Sequence, residues 1–179
     1  KRIKTKLFQV NFRTNNLNYI SQSIRDLTKN TPANIIFKAI NSHSLDSEVR
    51  FVGGCVRKII NKEKVNDIDM ATNLDPQKVC EVLKENKIDY YETGIEHGTI
   101  TALIEGYKFE ITSLREDILT DGRHAKVKFS KNWKEDALRR DFTINSIYAD
   151  EDGNLFDPFE GKKDLENGFV NFIGDADKR

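Results

Sequence analysis

The chain has 179 residues, which is enough for one domain with an ordinary hydrophobic core. Hydrophobic residues make up 37% of it and charged residues 32%, which excludes a disordered chain, and no run approaches the roughly 20 apolar residues of a membrane span. The 29 Lys and Arg residues balance 29 Asp and Glu residues, so any contact with nucleic acid must come from a local patch.

The start of the chain is basic. Residues 1–25 hold six basic and no acidic side chains. This pattern leaves three interpretations open: a contact surface for RNA, a trimmed targeting segment, or a solvated extension of the first helix. We therefore treat residues 1–30 as an N-terminal extension or helix.

The next elements are predicted between residues 32 and 60. Pro32 opens a helix to about Leu45, because apolar residues recur at helical spacing after it. A short strand over 49–52 ends at Gly53-Gly54, and a helix over 56–60 follows. The two glycines are thus expected at a strand-to-helix turn.

A second group of elements is predicted between residues 66 and 112. Apolar and acidic residues alternate over 66–70, which is typical of a strand, and Asp75-Pro76 opens a helix. Two strands over 99–104 and 107–112, joined at Glu105-Gly106, form a hairpin.

The remainder is predicted as a long loop over 113–131, helical segments over 133–140 and 143–147, and a last helix from Gly161. A small mixed sheet flanked by helices is an α+β fold. Fold alone does not give a function.

Two cysteines, Cys55 and Cys80, are too few for a disulfide framework and lack the spacing of a zinc or redox motif. They indicate a reducing, cytoplasmic setting.

Asp67 and Asp69 are the first candidate site residues. Alternation turns both carboxylates to one face of a strand, with Cα atoms about 6.5 to 7 Å apart, so that their oxygens can converge on Mg²⁺. Such a pair suits attack on a phosphate. A solvated strand face is the alternative for this common pattern.

Gly53, Gly54 and Arg57 are the second candidate group. Glycines let the backbone approach phosphate oxygens, and a guanidinium can bind a phosphate through two nitrogens. A tight structural turn explains a Gly-Gly pair about as well. Together with the acid pair, the segment favours a nucleotide.

Seven segments then occur in an order typical of one family: FVGGCVR at 51–57, DIDMAT at 67–72, HGT at 97–99, FEITSLR at 109–115, DGRH at 121–124, RRDFTINS at 139–146 and DPFEGKKDL at 157–165. They resemble the class II tRNA nucleotidyltransferase and bacterial poly(A) polymerase family. The resemblance covers residues 50–179, nearly three quarters of the chain.

The resemblance implies a nucleotidyltransferase head domain of the DNA polymerase beta type. In it Asp67 and Asp69 hold Mg²⁺, and Glu110 is the candidate third acid, which orients or deprotonates the attacking 3′ hydroxyl. An exposed strand acid is the alternative for Glu110.

The resemblance also places a nucleotide. Gly53, Gly54 and Arg57 fall at the triphosphate, and the motif at 139–146 is implied to recognise nucleotide phosphate and ribose; a charged helix end is the alternative. Its candidate binding residues are Arg139, Arg140, Asp141 and Asn145.

Two histidines lie in matched segments. We expect His97 to be a turn or packing residue, because no second ligand has zinc spacing nearby. His124 precedes Ala125 where most of the family has Pro, in a segment that corresponds to the family's flexible loop.

The resemblance divides the chain into the extension, a head over 31–150, and the end of the head with the start of a helical neck over 151–179. We expect the base-selecting template, the body and the tail to lie outside this sequence, on the same protein or on a second chain.

The expected function is Mg²⁺-dependent transfer of a nucleoside monophosphate from CTP or ATP to an RNA 3′ end, with the CCA end of tRNA as the acceptor and no role for a membrane. Poly(A) polymerase activity is the nearest alternative. A nucleotide-binding or interaction module without turnover is the alternative from another class.

Overall fold

The computed structural model describes residues 18–118 and 126–174. Residues 18–30 are helical and are called α1. The further helices are α2 (Ala33–Asn41), α3 (Gly54–Ile60), α4 (Pro76–Glu85), α5 (Trp133–Leu138) and α6 (Gly161–Asn167), with 3₁₀ turns at Ile95–His97 and Thr143–Asn145. The strands are β1 (Val49–Val52), β2 (Ile68–Thr72), β3 (Asp89–Gly94), β4 (Thr99–Ile104), β5 (Tyr107–Ser113), β6 (Arg115–Ile118), β7 (Lys126–Phe129), β8 (Tyr148–Ala149) and β9 (Leu155–Phe156).

Seven strands form one mixed sheet in the order β3-β4-β5-β2-β1-β8-β9. Only the central pair, β2 and β5, is parallel among the pairs of this sheet, and its register sets Asp69 beside Glu110. β6 and β7 form a separate two-stranded ribbon. The α+β class and the mixed sheet are confirmed.

The two faces of the sheet carry different side chains. Because side chains alternate along a strand, the apolar residues of β1, β2, β4 and β5 turn to one face and pack against α1–α4. Phe37 and Phe51 meet there with ring centroids 5.0 Å apart. The opposite face carries Asp69, Glu110 and Thr101. Next to them on this face, a smaller apolar cluster that includes Val52, Ala71 and Tyr148 packs against α5.

α1 belongs to the same core. Ile20 and Ile24 are fully buried among the sheet-facing residues, and the Ser21 hydroxyl donates to the Gly153 carbonyl at 3.1 Å. Residues 18–30 therefore pack onto the sheet domain. Residues 1–17, which hold five of the six basic side chains of the first 25 residues, lie outside the described part of the chain.

Four predicted boundaries were wrong. α2 ends at Asn41, because the Asn41 side chain turns to accept the Val49 amide, and Leu45 is fully exposed. The loop predicted over 113–131 contains the ribbon β6–β7, while 119–125 lie outside the described residues. The helix predicted over 133–140 ends at Leu138, and the one over 143–147 is a single 3₁₀ turn.

Both cysteines are free, as predicted from their number and spacing. Burial raises the pKa of the Cys55 thiol to about 11, which leaves it protonated and unreactive. In the part of the chain that the structure describes, no helix has both the length and the apolar character needed to cross a membrane.

Candidate active site

The carboxylates of Asp69 and Glu110 lie side by side on the open face of the sheet. They are Cα partners in the parallel β2–β5 pair, and their apolar neighbours along each strand are buried in the core. Asp67 lies two residues earlier, just before β2, and is exposed. The strand alternation predicted from the sequence therefore holds for Asp69, whereas Asp67 precedes the strand and lines the same cavity as Asp69.

These acids repel one another. Burial raises the pKa of the Asp69 carboxyl above its usual range, Glu110 and Asp67 raise it further, and Arg140 and Lys58 partly offset the shift. A cation between the carboxylates would relieve this cost, because it favours their ionised form.

The donor set fits a hard divalent cation. Within the described ranges, no group of three or more His, Cys, Asp or Glu side chains is arranged to hold a metal ion. Mg²⁺, however, is usually bound by one or two carboxylates, with water and substrate phosphates completing its shell. Asp67 and Asp69 would hold such an ion without a third protein ligand.

Gly53 and Gly54 turn the chain from β1 into α3 beside this acid pair. Gly53 has φ 68° and ψ −124°, a conformation that side chains rarely adopt, and its amide donates to the Ile147 carbonyl at 3.2 Å. A Cβ on Gly54 would lie 4.0 Å from both Arg57 Nη2 and Asp69 Oδ2. The turn thus brings bare backbone between a guanidinium and a carboxylate.

Arg57, Asn145 and Asp141 form a hydrogen-bonded chain across the cleft. Arg57 Nη1 donates to Asn145 Oδ1, and Asn145 Nδ2 donates to Asp141 Oδ1 at 3.2 Å. The structure therefore connects residues that the sequence placed in two separate motifs. This contact fixes the direction of the Arg57 side chain.

Asp136, which the sequence reasoning missed, holds the two adjacent arginines. Its carboxylate is 1% exposed and accepts from Arg139 Nε at 2.9 Å, from Arg140 Nη2 at 3.2 Å, and from the Tyr148 hydroxyl at 2.6 Å. It also accepts from the Arg115 backbone amide at 3.2 Å. Although burial raises the pKa of Asp136, Arg140 and Arg139 hold it below its usual range.

The local sequence explains this arrangement. Asn132 caps α5 by accepting from the amides of Lys134 and Glu135, and Trp133 packs edge-on against Tyr148 with ring centroids 5.5 Å apart. Asp136 precedes Arg139 and Arg140 by three and four residues, the spacing at which helical side chains meet. That spacing was the signal available in the sequence.

One cleft of about 510 Å³ collects most of the candidate residues. A neighbouring cavity of about 480 Å³ is lined by Asp67 and shares Asp69 and Glu110 with the cleft. Arg115, which was not a candidate, also lines the cleft. The candidates that line it are Gly53, Gly54, Arg57, Asp69, Glu110, Arg139, Arg140, Asp141 and Asn145.

His97 does not line the cleft. His97 ends a 3₁₀ turn with an exposed side chain 3.8 Å from Glu96, in agreement with a turn residue. His124 lies outside the described residues.

A mixed sheet with adjacent carboxylates beside a Gly-Gly turn and several guanidiniums is typical of the head domain of the nucleotidyltransferase fold. A family model described as the poly A polymerase head domain matches residues 49–171. The chain belongs to this family, and the resemblance found in the sequence is confirmed.

Named relatives agree with the assignment. The CCA tRNA nucleotidyltransferase 1, mitochondrial, of Homo sapiens is 47% identical over 133 residues, which are 74% of this chain and 31% of that protein. The CCA-adding enzyme of Lactobacillus johnsonii is 40% identical over 151 residues, 83% of this chain and 36% of the relative. The chain thus spans about a third of the length of these proteins.

The crystal structure of the Bacillus stearothermophilus CCA-adding enzyme in complex with CTP has the same fold. It superposes with a TM-score of 0.72 at 31% identity, covering 82% of this chain and 34% of that one. The nucleotidyltransferase fold implied by the sequence is therefore confirmed.

Proposed function

We propose that this chain is a catalytic head that transfers nucleoside monophosphates from CTP and ATP to the 3′ end of tRNA, building its CCA terminus. The observation that carries the proposal is that Asp69 and Glu110 are neighbours on adjacent strands. They line one cleft together with Arg57, Arg139 and Arg140. Relatives at 37–47% identity named CCA-adding enzymes support this acceptor over a poly(A) tail.

The two cavities suggest where the two substrates bind. The triphosphate is assigned to the larger cleft, where guanidiniums offset its negative charge. The acceptor end is assigned to the cavity beside Asp67 and Lys108, which shares the carboxylates with the cleft. The reacting atoms then meet at Asp69 and Glu110, which line both cavities.

In the reaction, the 3′ oxygen of the acceptor forms a bond to the α-phosphorus, the bond from that phosphorus to the β-phosphate oxygen breaks, and pyrophosphate leaves. Asp67 and Asp69 would hold Mg²⁺, which when bound would supply Lewis-acid chemistry at the hydroxyl and the phosphates. Glu110 accepts or orients the hydroxyl proton. Arg57, Arg139 and Arg140 stabilise the charge on the phosphate oxygens.

The resemblance assigns base selection and most of the tRNA grip to helical segments beyond the head, on the same protein or a second chain. We therefore propose that residues 31–150 form the head, that 151–179 lead into the neck, and that the head alone binds triphosphates without strong base preference. Cytoplasmic location stays a prediction, because the human relative carries "mitochondrial" in its name.

The test joins this chain to the neck, body and tail of the Lactobacillus johnsonii relative and supplies tRNA that lacks its CCA end. With CTP, ATP and Mg²⁺, the product should end in CCA, as read by sequencing. A tract of A residues with no C would support the poly(A) alternative instead. A folded protein that binds CTP but makes no product would support the non-catalytic module.

A further inference from the structure

Arg115 lies two residues beyond the end of β5. Glu110 and Thr112 of β5 line the cleft, and Arg115 lines it as well. Arg115 begins the ribbon β6–β7, and its amide is held by the buried Asp136 carboxylate at 3.2 Å. Its backbone is thus fixed by the same carboxylate that orients Arg139 and Arg140.

The guanidinium of Arg115 is incompletely satisfied within the residues that the structure describes. Nη1 donates to the His97 carbonyl at 2.5 Å. Nε is buried and makes no hydrogen bond, although it forms an ion pair with Asp117 Oδ1 at 3.5 Å. A guanidinium has five N–H donors, so most of its hydrogen-bonding capacity is left at a site where the side chain is 20% exposed.

The electrostatic setting also favours an anion. Burial lowers the pKa of Arg115, and the nearby Arg139 lowers it further, which Asp117 and Asp136 only partly offset. Like charges held together at a cleft wall are stabilised when an anion binds between them. A phosphate oxygen is the anion that the proposed substrates carry.

We propose that Arg115 is an additional phosphate-binding residue of the cleft, acting next to Arg139. The inference rests on the proposed function for the identity of its ligand. The phosphate comes from one of two sources, the triphosphate of the nucleotide or the backbone of the acceptor RNA. Binding measurements without turnover distinguish this role from the proposed reaction.

The experiment titrates inorganic tripolyphosphate and a short single-stranded RNA separately into the chain and its Arg115→Met variant. We expect at least one ligand to bind tenfold to a hundredfold more weakly, since hydrogen bonds to charged groups have that effect. Loss with tripolyphosphate assigns the nucleotide, and loss with RNA assigns the acceptor. For RNA, the slope of the logarithm of the binding constant against the logarithm of salt concentration should also become shallower, by the amount expected for about one phosphate contact.

Lys128→Met is the matched control. Lys128 lies on the same ribbon, is 67% exposed, faces Glu116 at 3.9 Å and does not line the cleft. Lys128→Met should change the affinity for tripolyphosphate and the affinity for RNA by less than twofold each. Equal affinities for wild type and Arg115→Met with both ligands, or equal weakening by Lys128→Met, would overturn the inference even if the chain transfers nucleotides.

A second measurement follows ligand binding in the wild-type chain and uses a variant only to assign a resonance. In the ¹⁵N-labelled chain, the Nε–H resonance of Arg115, assigned by its absence in Arg115→Lys, should shift on addition of the ligand that binds there. A resonance that neither tripolyphosphate nor RNA moves would overturn the inference, including the case in which Arg115→Met fails to fold.

Discussion

Asparagine in place of Asp136 perturbs the buried centre that orients the arginines while keeping the side chain's shape. Oδ1 of the carboxylate accepts from Arg139 Nε and the Arg115 amide, which an amide oxygen still does. Oδ2 accepts from Arg140 Nη2 and the Tyr148 hydroxyl, and an NH₂ group at this place would face donors. The change therefore leaves Arg140 in a mostly buried position without its carboxylate.

The magnitude follows from this loss. Removing one partner of a buried, hydrogen-bonded ion pair costs about 3–5 kcal/mol. For a chain of this size, each kcal/mol lost from the free energy of unfolding lowers the midpoint of thermal unfolding by about 2–4 °C. The midpoint should therefore fall by roughly 6–20 °C. The Tyr148→Phe variant loses two hydrogen bonds to charged groups, one donated to Asp136 and one accepted from Arg140, and each costs about 1.5–3 kcal/mol.

The assay is urea unfolding followed by circular dichroism, with Glu166→Gln as the control. Glu166 pairs with Lys162 at 2.5 Å on the surface of α6, and such pairs contribute at most about 1 kcal/mol. If Asp136→Asn lowers the free energy of unfolding by no more than Glu166→Gln does, the Asp136 carboxylate does not hold the cleft together.

Acid gives an independent check on Asp136. Its pKa is lowered in the folded state, so its contribution is fully present above the ordinary Asp pKa of about 3.9 and is lost as pH falls through the lowered value. The difference in unfolding free energy between wild type and Asp136→Asn should therefore shrink only in strongly acidic solution. A difference that is the same at pH 7 and at pH 2 would contradict the ionised state assigned to it.

Three other outcomes are expected. Asp69→Asn should leave the urea midpoint at pH 7 unchanged or higher, because the carboxyl's pKa is raised by burial and by Glu110, and a loss above about 1 kcal/mol would make Asp69 a structural residue. Arg57→Ala should weaken CTP, ATP, GTP and UTP binding alike, by about tenfold, because a guanidinium on phosphates does not contact the base; calorimetry that finds one nucleotide selectively affected contradicts this role. The wild-type chain should bind all four with dissociation constants within about tenfold, or ~1.4 kcal/mol, and strong selection for CTP and ATP would place base recognition inside the head.

The sequence predicted the central elements of the sheet well, because their signals are local. β1, β2, β4 and β5 alternate or run apolar toward one buried face, and the Gly53-Gly54 turn is visible from composition alone. β3 was missed because it is an edge strand with mostly exposed side chains, including Tyr91. The ribbon β6–β7 was missed because its residues are largely charged and are paired across a long segment.

The candidate site shows a similar division. The sequence motifs named the carboxylates, glycines, arginines and Asn145, and nine of these ten candidates line one cleft. Which of them touch is decided by tertiary packing, so the contact of Arg57 with Asn145, 88 residues later, could not be read from either motif. Asp136 and Arg115 were overlooked because a buried acid and an incompletely paired guanidinium are recognised only from their surroundings.

We propose that Asp69 belongs to a metal-binding carboxylate pair that performs nucleotidyl transfer. The most direct test of this proposal is the single-turnover rate of CMP transfer to tRNA lacking its CCA end, measured for the chain joined to the helical segments of its Lactobacillus relative, with and without Asp69→Asn. The account predicts that this variant keeps its fold while its rate falls by about a thousandfold or more, an increase in barrier of ~4 kcal/mol. A rate near that of the parent protein in the presence of Mg²⁺ would contradict it.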